Sequence, residues 1–237
     1  MLSGTRQTRN SSSPQVLNAI ITSSANFQQI LNQLPVLAES DLPILLRGEP
    51  GTGKELVARA ICALNPRRQP CLVINCAGLT ESLAGSELFG HLRGAFTDAR
   101  SYRPGKFRMA NGGTLFLDEV GDLPLSIQAK LLRAVEQGEI EPVGGDKAVK
   151  VDVRLLSATN HDMSRLIEQG LFRQDLYDRL AVLEISLPPL REREGDVVLL
   201  ARQCPGTQEC HQPGGAFASR RPHLAGGYSL HLQGCPD

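Results

Sequence analysis

The sequence predicts an α/β fold, a parallel five-stranded sheet flanked by helices. Three observations predict it. Five short runs rich in Val, Ile and Leu alternate with stretches of helical period. That richness is what strands covered on both faces show. Two runs end in residues suited to a ligand site at strand C-termini: a glycine-rich stretch from Gly48 after the first, and Asp118-Glu119 after the third.

The elements follow in order. Residues 1–15 are polar and Ser-rich and read as a flexible linker. Residues 16–202 read as one folded domain. Its first segment, 16–37, places Leu17, Ile20, Ile21, Phe27, Ile30, Leu31 and Leu34 at helical spacing. Strands are predicted at 43–47, 71–76, 114–118, 153–158 and 183–187. Helices fit between them, notably 54–64 and 124–137. The latter turns Ile127, Leu131, Leu132 and Val135 inward, with Pro124 in its first turn. Residues 203–237 are rich in Gly, Pro, Cys and His and have no clear period. They hold three of the six cysteines and three of the five histidines, yet the spacings match no metal-ligand template. They read as an irregular tail, with a frameshift product as the alternative origin.

Composition narrows the function. Hydrophobic residues are 41% of the 237, enough for a core. The net charge is zero, so nothing in the balance asks for nucleic acid or an anionic membrane. With no Trp, a base-stacking platform is not expected. Cys62, Cys71 and Cys76 read as small buried hydrophobes, and no CxxC pair suggests zinc or redox chemistry. The first residues carry no apolar stretch for a signal peptide, and no run of about 18 apolar residues predicts a membrane helix. A cytoplasmic protein without membrane partners is expected.

The stretch Gly48-Glu49-Pro50-Gly51-Thr52-Gly53-Lys54-Glu55 follows an apolar run and precedes a helix. That context is what a P-loop requires. Glycines let the backbone curl so that its N–H groups face phosphate oxygens, and the helix adds its positive end. Lys54 would reach the β- and γ-phosphates. The usual final Ser or Thr, a magnesium ligand, is replaced by Glu55. The plain alternative is a chance glycine-rich turn.

Leu115-Phe116-Leu117-Asp118-Glu119 supplies the second element. Asp118 would join a magnesium shell, and Glu119 would act as general base on the attacking water. Alone, this is only a strand running into a solvated turn. A third apolar strand ends in Ser157-Ala158-Thr159-Asn160, where Thr159 and Asn160 could sense a γ-phosphate.

Three segments carry a family resemblance: the P-loop ending GTGKE, residues 105–120 (GKFRMANGGTLFLDEV), and residues 87–99 (ELFGHLRGAFTDA). Residues from about 20 to 200 resemble the central AAA+ ATPase domain of bacterial sigma-54-dependent transcriptional activators, the enhancer-binding proteins. Glu55 is the family habit, and the third segment matches a motif that other AAA+ families lack. Residues 128–136, 157–160 and 172–180 agree as well.

The resemblance implies a P-loop NTPase of the AAA+ type that uses ATP and Mg. It implies ring oligomers, usually hexamers, with ATP at subunit interfaces. Hydrolysis would move the loop Gly94-Ala95-Phe96-Thr97-Asp98-Ala99, which engages sigma-54 and opens the promoter complex of RNA polymerase. Phe96 and Thr97 would form its tip. Arg173 and Arg179 would be arginine fingers that reach the γ-phosphate of the neighbouring subunit. Ordinary ion pairs on a helix surface are the alternative, although six positions apart they do not share one face. Asn75 would be a switch that holds Glu119, or else a strand-end cap. Residues 139–150 would form a second loop supporting the first.

Departures matter too. Asp98 stands where the family has Gly, and Pro50 removes one N–H from the P-loop. The family continues into a helical lid and a helix-turn-helix domain. Here that pattern stops near Arg202, so the lid is expected to be missing or incomplete, and direct sequence-specific DNA binding is not expected. The readings carried forward are a sigma-54-engaging ATPase, a truncated nucleotide-binding remnant without turnover, and another AAA+ remodelling ATPase.

Overall fold

The computed structural model describes residues 20–65, 70–96, 99–193, 195–197 and 199. The predicted linker at 1–15 and tail at 203–237, and with them both domain boundaries, lie outside the described residues.

The first helix, α1 (Ala25–Glu39), starts later than its apolar period. Ser24 stands before it in extended conformation and its Oγ accepts from the Phe27 N–H, a side-chain cap that fixes the start. Phe27, Leu31, Leu34 and Ala38 are buried. Then come β1 (Ile44–Arg47), α2 (Lys54–Leu64), β2 (Cys71–Asn75) and α3 (Glu81–Phe89). A two-residue hairpin follows, β3 (Gly90–His91) with β4 (Arg103–Pro104), then α4 (Lys106–Met109) and β5 (Thr114–Asp118). A 3-10 turn (Val120–Asp122) leads to α5 (Leu125–Gln137), which Pro124 precedes as the N-cap residue rather than entering its first turn. A second hairpin, β6 (Glu139–Ile140) with β7 (Val149–Lys150), precedes β8 (Arg154–Thr159). The last elements are α6 (Met163–Glu168), α7 (Gln174–Leu180), β9 (Leu183–Ser186) and a 3-10 turn (Leu190–Glu192).

All five predicted strands form, in one parallel sheet ordered β2-β5-β8-β1-β9. Both faces are covered, and period-two alternation divides the core. Leu45, Leu115, Leu117 and Leu155 face α3, α5 and α7. Ile44, Leu46, Phe116, Leu156 and Ala158 face α1 and α2. The central strands are buried throughout, which is why no alternation was visible in the sequence. Arg154 is 1% exposed at the start of β8, and its guanidinium donates to the carbonyls of Leu37 and Ala38 at 2.7 and 2.9 Å. A charged side chain thus satisfies the last carbonyls of α1.

Cysteine usage departs from expectation. Cys76 is a buried free thiol, pushed up to about 12 by burial first and then by the charges of Asp118, Asp122 and Glu119. Cys62 and Cys71, however, form a disulfide, because the last turn of α2 lies beside the first residue of β2 with Cα atoms 6.1 Å apart. The two stand nine positions apart, a spacing that matches no CxxC-type signature.

Candidate active site

The ligand site grows from the C-terminal ends of β1, β5 and β8. After β1 the chain turns through Gly51 (φ 78°) and Gly53 (φ 89°), left-handed conformations that suit glycine. Gly48 is needed for closeness instead: a Cβ there would lie 2.8 Å from Thr52 Oγ1 and 3.1 Å from the Leu187 carbonyl. Thr52 Oγ1 donates to the Glu49 carbonyl at 2.8 Å and tightens the loop. Lys54 opens α2, is 7% exposed, and donates through Nζ to the carbonyls of Gly48 (2.9 Å) and Glu49 (3.3 Å). Its third neighbour is Glu119 Oε1 at 3.4 Å. Glu55 points elsewhere, pairing with Arg59 one helical turn on at 2.6 Å.

β5 delivers the two carboxylates. Asp118 stands opposite Asn75 in the β2–β5 register. Burial, and then the charge of Glu119, push its carboxyl above the usual value, while Lys54 pulls the other way. Glu119 has φ 51° and ψ 52°, and among the described residues no other non-glycine residue has positive φ. Such a backbone costs roughly 1–3 kcal/mol and persists where the surroundings enforce it. Here the carboxylate is anchored at both oxygens: Oε1 beside Lys54, and Oε2 accepting the Asn160 N–H at 2.9 Å. Pro50, Gly51, Gly53, Lys54, Asp118 and Glu119 line a cleft of about 360 Å³.

The predicted sensor residues lie at this end of β8. Thr159 is fully buried and its Oγ1 accepts the His161 N–H, while Asn160 meets Glu119 through its backbone. Asn75 lies at the end of β2, where its Oδ1 accepts the Ala77 N–H at 2.8 Å, while the Glu119 carboxylate is held by Lys54 and Asn160.

Three residues that the sequence reading missed complete the cradle. Arg191 makes a two-pronged bridge to Glu49 at 2.7 and 2.8 Å. Arg193, 5% exposed, donates to the carbonyls of Thr52 (2.6 Å) and Pro188 (2.9 Å) and lies 3.7 Å over the Phe27 ring. Burial pulls its pKa down. Asp196 accepts from Thr22 Oγ1 and from the Ser23 and Ser24 N–H groups. The chain after β9 therefore straps the P-loop to the chain before α1. Between them, Ile20, Ile21, Phe27, Leu56, Leu190 and Arg193 line a mostly apolar cavity of about 210 Å³ beside Gly51–Gly53. The available signal was the alternation of arginines at 191 and 193 directly after the last strand.

The other predicted residues lie away from the cradle. The loop from Gly94 springs from the β3–β4 hairpin and closes through Gly94 N–H to Ala99 O at 2.8 Å and Ala99 N–H to Phe96 O at 2.9 Å. Thr97 and Asp98 lie outside the described residues. Phe96 is half-buried and packs edge-on against His91, with ring centres 5.0 Å apart. The second hairpin supports this loop: the Leu92 N–H donates to Val143 O, and the Val143 N–H to Gly90 O. Gly144 lies so near Ala95 that a Cβ would meet its Cβ at 2.7 Å. Arg173 is the N-cap residue of α7 and Arg179 sits in its last turn. Both are exposed and hold surface carboxylates, Asp175 at 2.6 Å and Glu136 at 3.0 Å. Neither lines the cleft over the P-loop of its own chain.

Comparison with known proteins fits this geometry. The Sigma-54 interaction domain family matches residues 20–186. The anaerobic nitric oxide reductase transcription regulator NorR of Klebsiella pneumoniae is 55% identical over 183 residues, covering 77% of this chain and 36% of that protein. The nitric oxide reductase transcription regulator NorR2 of Cupriavidus necator is 55% identical over 183 residues, covering 77% of this chain and 35% of that protein. The chain thus spans about a third of the length of these curated relatives. Among solved structures, NtrX from Brucella abortus in complex with ATP superposes with a TM-score of 0.71 at 36% identity, covering 78% of this chain and 42% of that one. No described helix is long and apolar enough to cross a membrane.

Proposed function

We propose that this chain, which belongs to the Sigma-54 interaction domain family, binds ATP with magnesium and hydrolyses it to work on sigma-54 and its RNA polymerase. The observation that carries the proposal is Glu119. It holds a strained left-handed backbone at the end of β5, with its carboxylate 3.4 Å from the P-loop lysine. A costly conformation at that point suits a general base that must face a phosphate.

The chain's residues divide the work. The N–H groups of the P-loop and the start of α2 accept the phosphates. Lys54 exchanges the carbonyls of Gly48 and Glu49 for phosphate oxygens. Glu119 takes the proton from the attacking water, and Thr159 and Asn160 report whether the γ-phosphate is present. The apolar cavity at Ile20, Ile21 and Leu56 takes the adenine, with Leu190, Arg193 and Asp196 as its wall. The ATP complex of NtrX supports an adenine nucleotide.

The residues fit magnesium. Asp118 is a carboxyl at the cleft whose charge is disfavoured by burial and by Glu119, and which a cation would relieve. Among the described residues no three acidic, His or Cys side chains converge as a metal cage. That is the pattern for an ion held by one or two carboxylates plus substrate phosphates. Magnesium would there neutralise charge on the phosphate oxygens.

Turnover is proposed to need a ring, in which Arg173 and Arg179 leave their surface carboxylates and complete the site of a neighbouring subunit. The loop at Gly94, Ala95, Phe96, Thr97, Asp98 and Ala99 is proposed as the sigma-54 contact. The domain is proposed to span residues 16–202. The test is ATP hydrolysis as a function of protein concentration, with oligomer size measured on the same sample. Turnover per subunit should rise with concentration and vanish in Lys54→Ala and Glu119→Gln. A concentration-independent rate would remove the ring from the proposal.

A further inference from the structure

Gln128 lies in the first turns of α5 and is completely buried. A buried amide is costly unless its polar atoms are paired. Every kind of hydrogen bond the amide can make is used. Nε2 donates to the Leu123 carbonyl at 2.7 Å and to the Leu171 carbonyl at 2.9 Å. Oε1 accepts the N–H of Arg173 at 2.9 Å. The partners come from two separate segments. Leu123 ends the turn that leaves Glu119, whereas Leu171 and Arg173 form the turn that enters α7. The far end of the same helix holds the other arginine, through Glu136 and Arg179 at 3.0 Å.

We infer that Gln128 is a positioning residue for trans catalysis: by gripping the backbone of Arg173 it fixes where that guanidinium leaves its own subunit to serve the site of the next. This rests on the reading of Arg173 as an arginine finger. An apolar side chain of similar volume would fill the same space, but it would leave the Leu171 carbonyl and the Arg173 N–H unpaired. The Arg173 side chain is 44% exposed, and among the described residues its guanidinium is held by Asp175 two residues away. Its buried-side anchor is the backbone N–H gripped by Gln128, from which its reach is set. The hydrogen bonds of the Gln128 amide go to Leu123, Leu171 and Arg173, none of them in the P-loop.

The experiment uses the full chain and mixed oligomers. Gln128→Met keeps the volume and removes the hydrogen bonds. It should bind a fluorescent ATP analogue within about twofold of the parent, yet turn ATP over about 10- to 100-fold more slowly at saturating protein, the loss expected of one mispositioned charge-stabilising group. Glu119→Gln subunits are silent for a different reason. In an equal mixture about a quarter of the head-to-tail interfaces pair an intact Glu119 with a well-held Arg173, so turnover should reappear. A purely structural role for Gln128 would not be rescued by a neighbour. If mixing restores nothing while Arg173→Ala mixed with Glu119→Gln does recover turnover, Gln128 acts within its own subunit and the inference is overturned. If the Arg173→Ala mixture is also silent, the finger reading has failed and the inference falls with it. Gln128→Asn, which keeps an amide but withdraws it from Arg173, replaces the Met variant if the latter melts at too low a temperature to assay, and the same outcomes decide.

Discussion

The P-loop turn and the loop that starts at Gly94 are both glycine-bearing turns between regular elements, yet they are held in opposite ways. In the first, each polar side chain is engaged by the same chain: Lys54 by two carbonyls and Glu119, Thr52 by Glu49, Glu49 by Arg191. The second, among its described residues, is held by backbone bonds and leans on its neighbours through Phe96 and Ala95. The first is preorganised for a small anionic ligand. The second, with the exposed arginines of α7, is proposed to present groups whose use lies in another chain. On that proposal one fold carries a nucleotide cradle that one chain can complete, beside surfaces that one chain cannot.

The largest expected effect tests the first half of that contrast. Lys54→Ala should lower nucleotide affinity by about 100-fold or more and abolish turnover, since it removes the central cation of the cradle. Titration with labelled ATP checks it, and unchanged binding would break the contrast. Next, Phe96→Ala should weaken capture of sigma-54 by the protein held with a transition-state analogue by about tenfold or more, the loss expected of an aromatic anchor, while ATP turnover stays within about twofold. A parallel loss of turnover would mean that the two regions are not separable.

A smaller effect concerns the support of the loop. Gly144 has φ 77° and no room for a Cβ beside Ala95, so Gly144→Ala should cost about 1–3 kcal/mol, read as a lowered melting temperature. Sigma-54 capture should fall with it and nucleotide affinity should not.

The smallest effect is in pH dependence. Burial opposes the ionisation of Asp196, but the N–H groups of Ser23 and Ser24 and the hydroxyls of Thr22 and Ser23 outweigh it and hold the carboxyl below the ordinary 3.8. Its contribution to stability is therefore present above pH 3.8 and is lost as pH falls through the depressed value. The stability gap between the parent and Asp196→Asn should be flat near neutrality and narrow only in acid. A gap that changes between pH 6 and 8 would assign the effect to another group.

What was legible in the sequence was what is contiguous. The P-loop and Asp118-Glu119 are short strings in which neighbouring residues do related work, so strand, loop and helix could be read in order. The five core strands were legible because each is a short run rich in Val, Ile and Leu. The strap was not. Arg193 meets Thr52 across 141 positions, and Asp196 meets Ser24 across 172, so no local pattern marks them. Gln128 was invisible for the same reason, since an amide on a helix reads as solvent-facing until three backbone groups are found around it. Asn75 and the arginines of α7 show the complementary difficulty. Their motifs were legible, and a surface ion pair or a strand-end cap was the plain alternative for each, but the particular partners they hold in a single chain, Ala77, Asp175 and Glu136, were not singled out.

The contact between Lys54 and Glu119 has one further consequence. On the function proposed above, each group masks the other: Lys54 is turned to a carboxylate, and Glu119 to a cation, rather than to phosphate and water. A polyanion that drew Lys54 away would leave Glu119 free to act as the proposed base. The pair would then work as an interlock, released by the molecule on which the proposed chemistry acts.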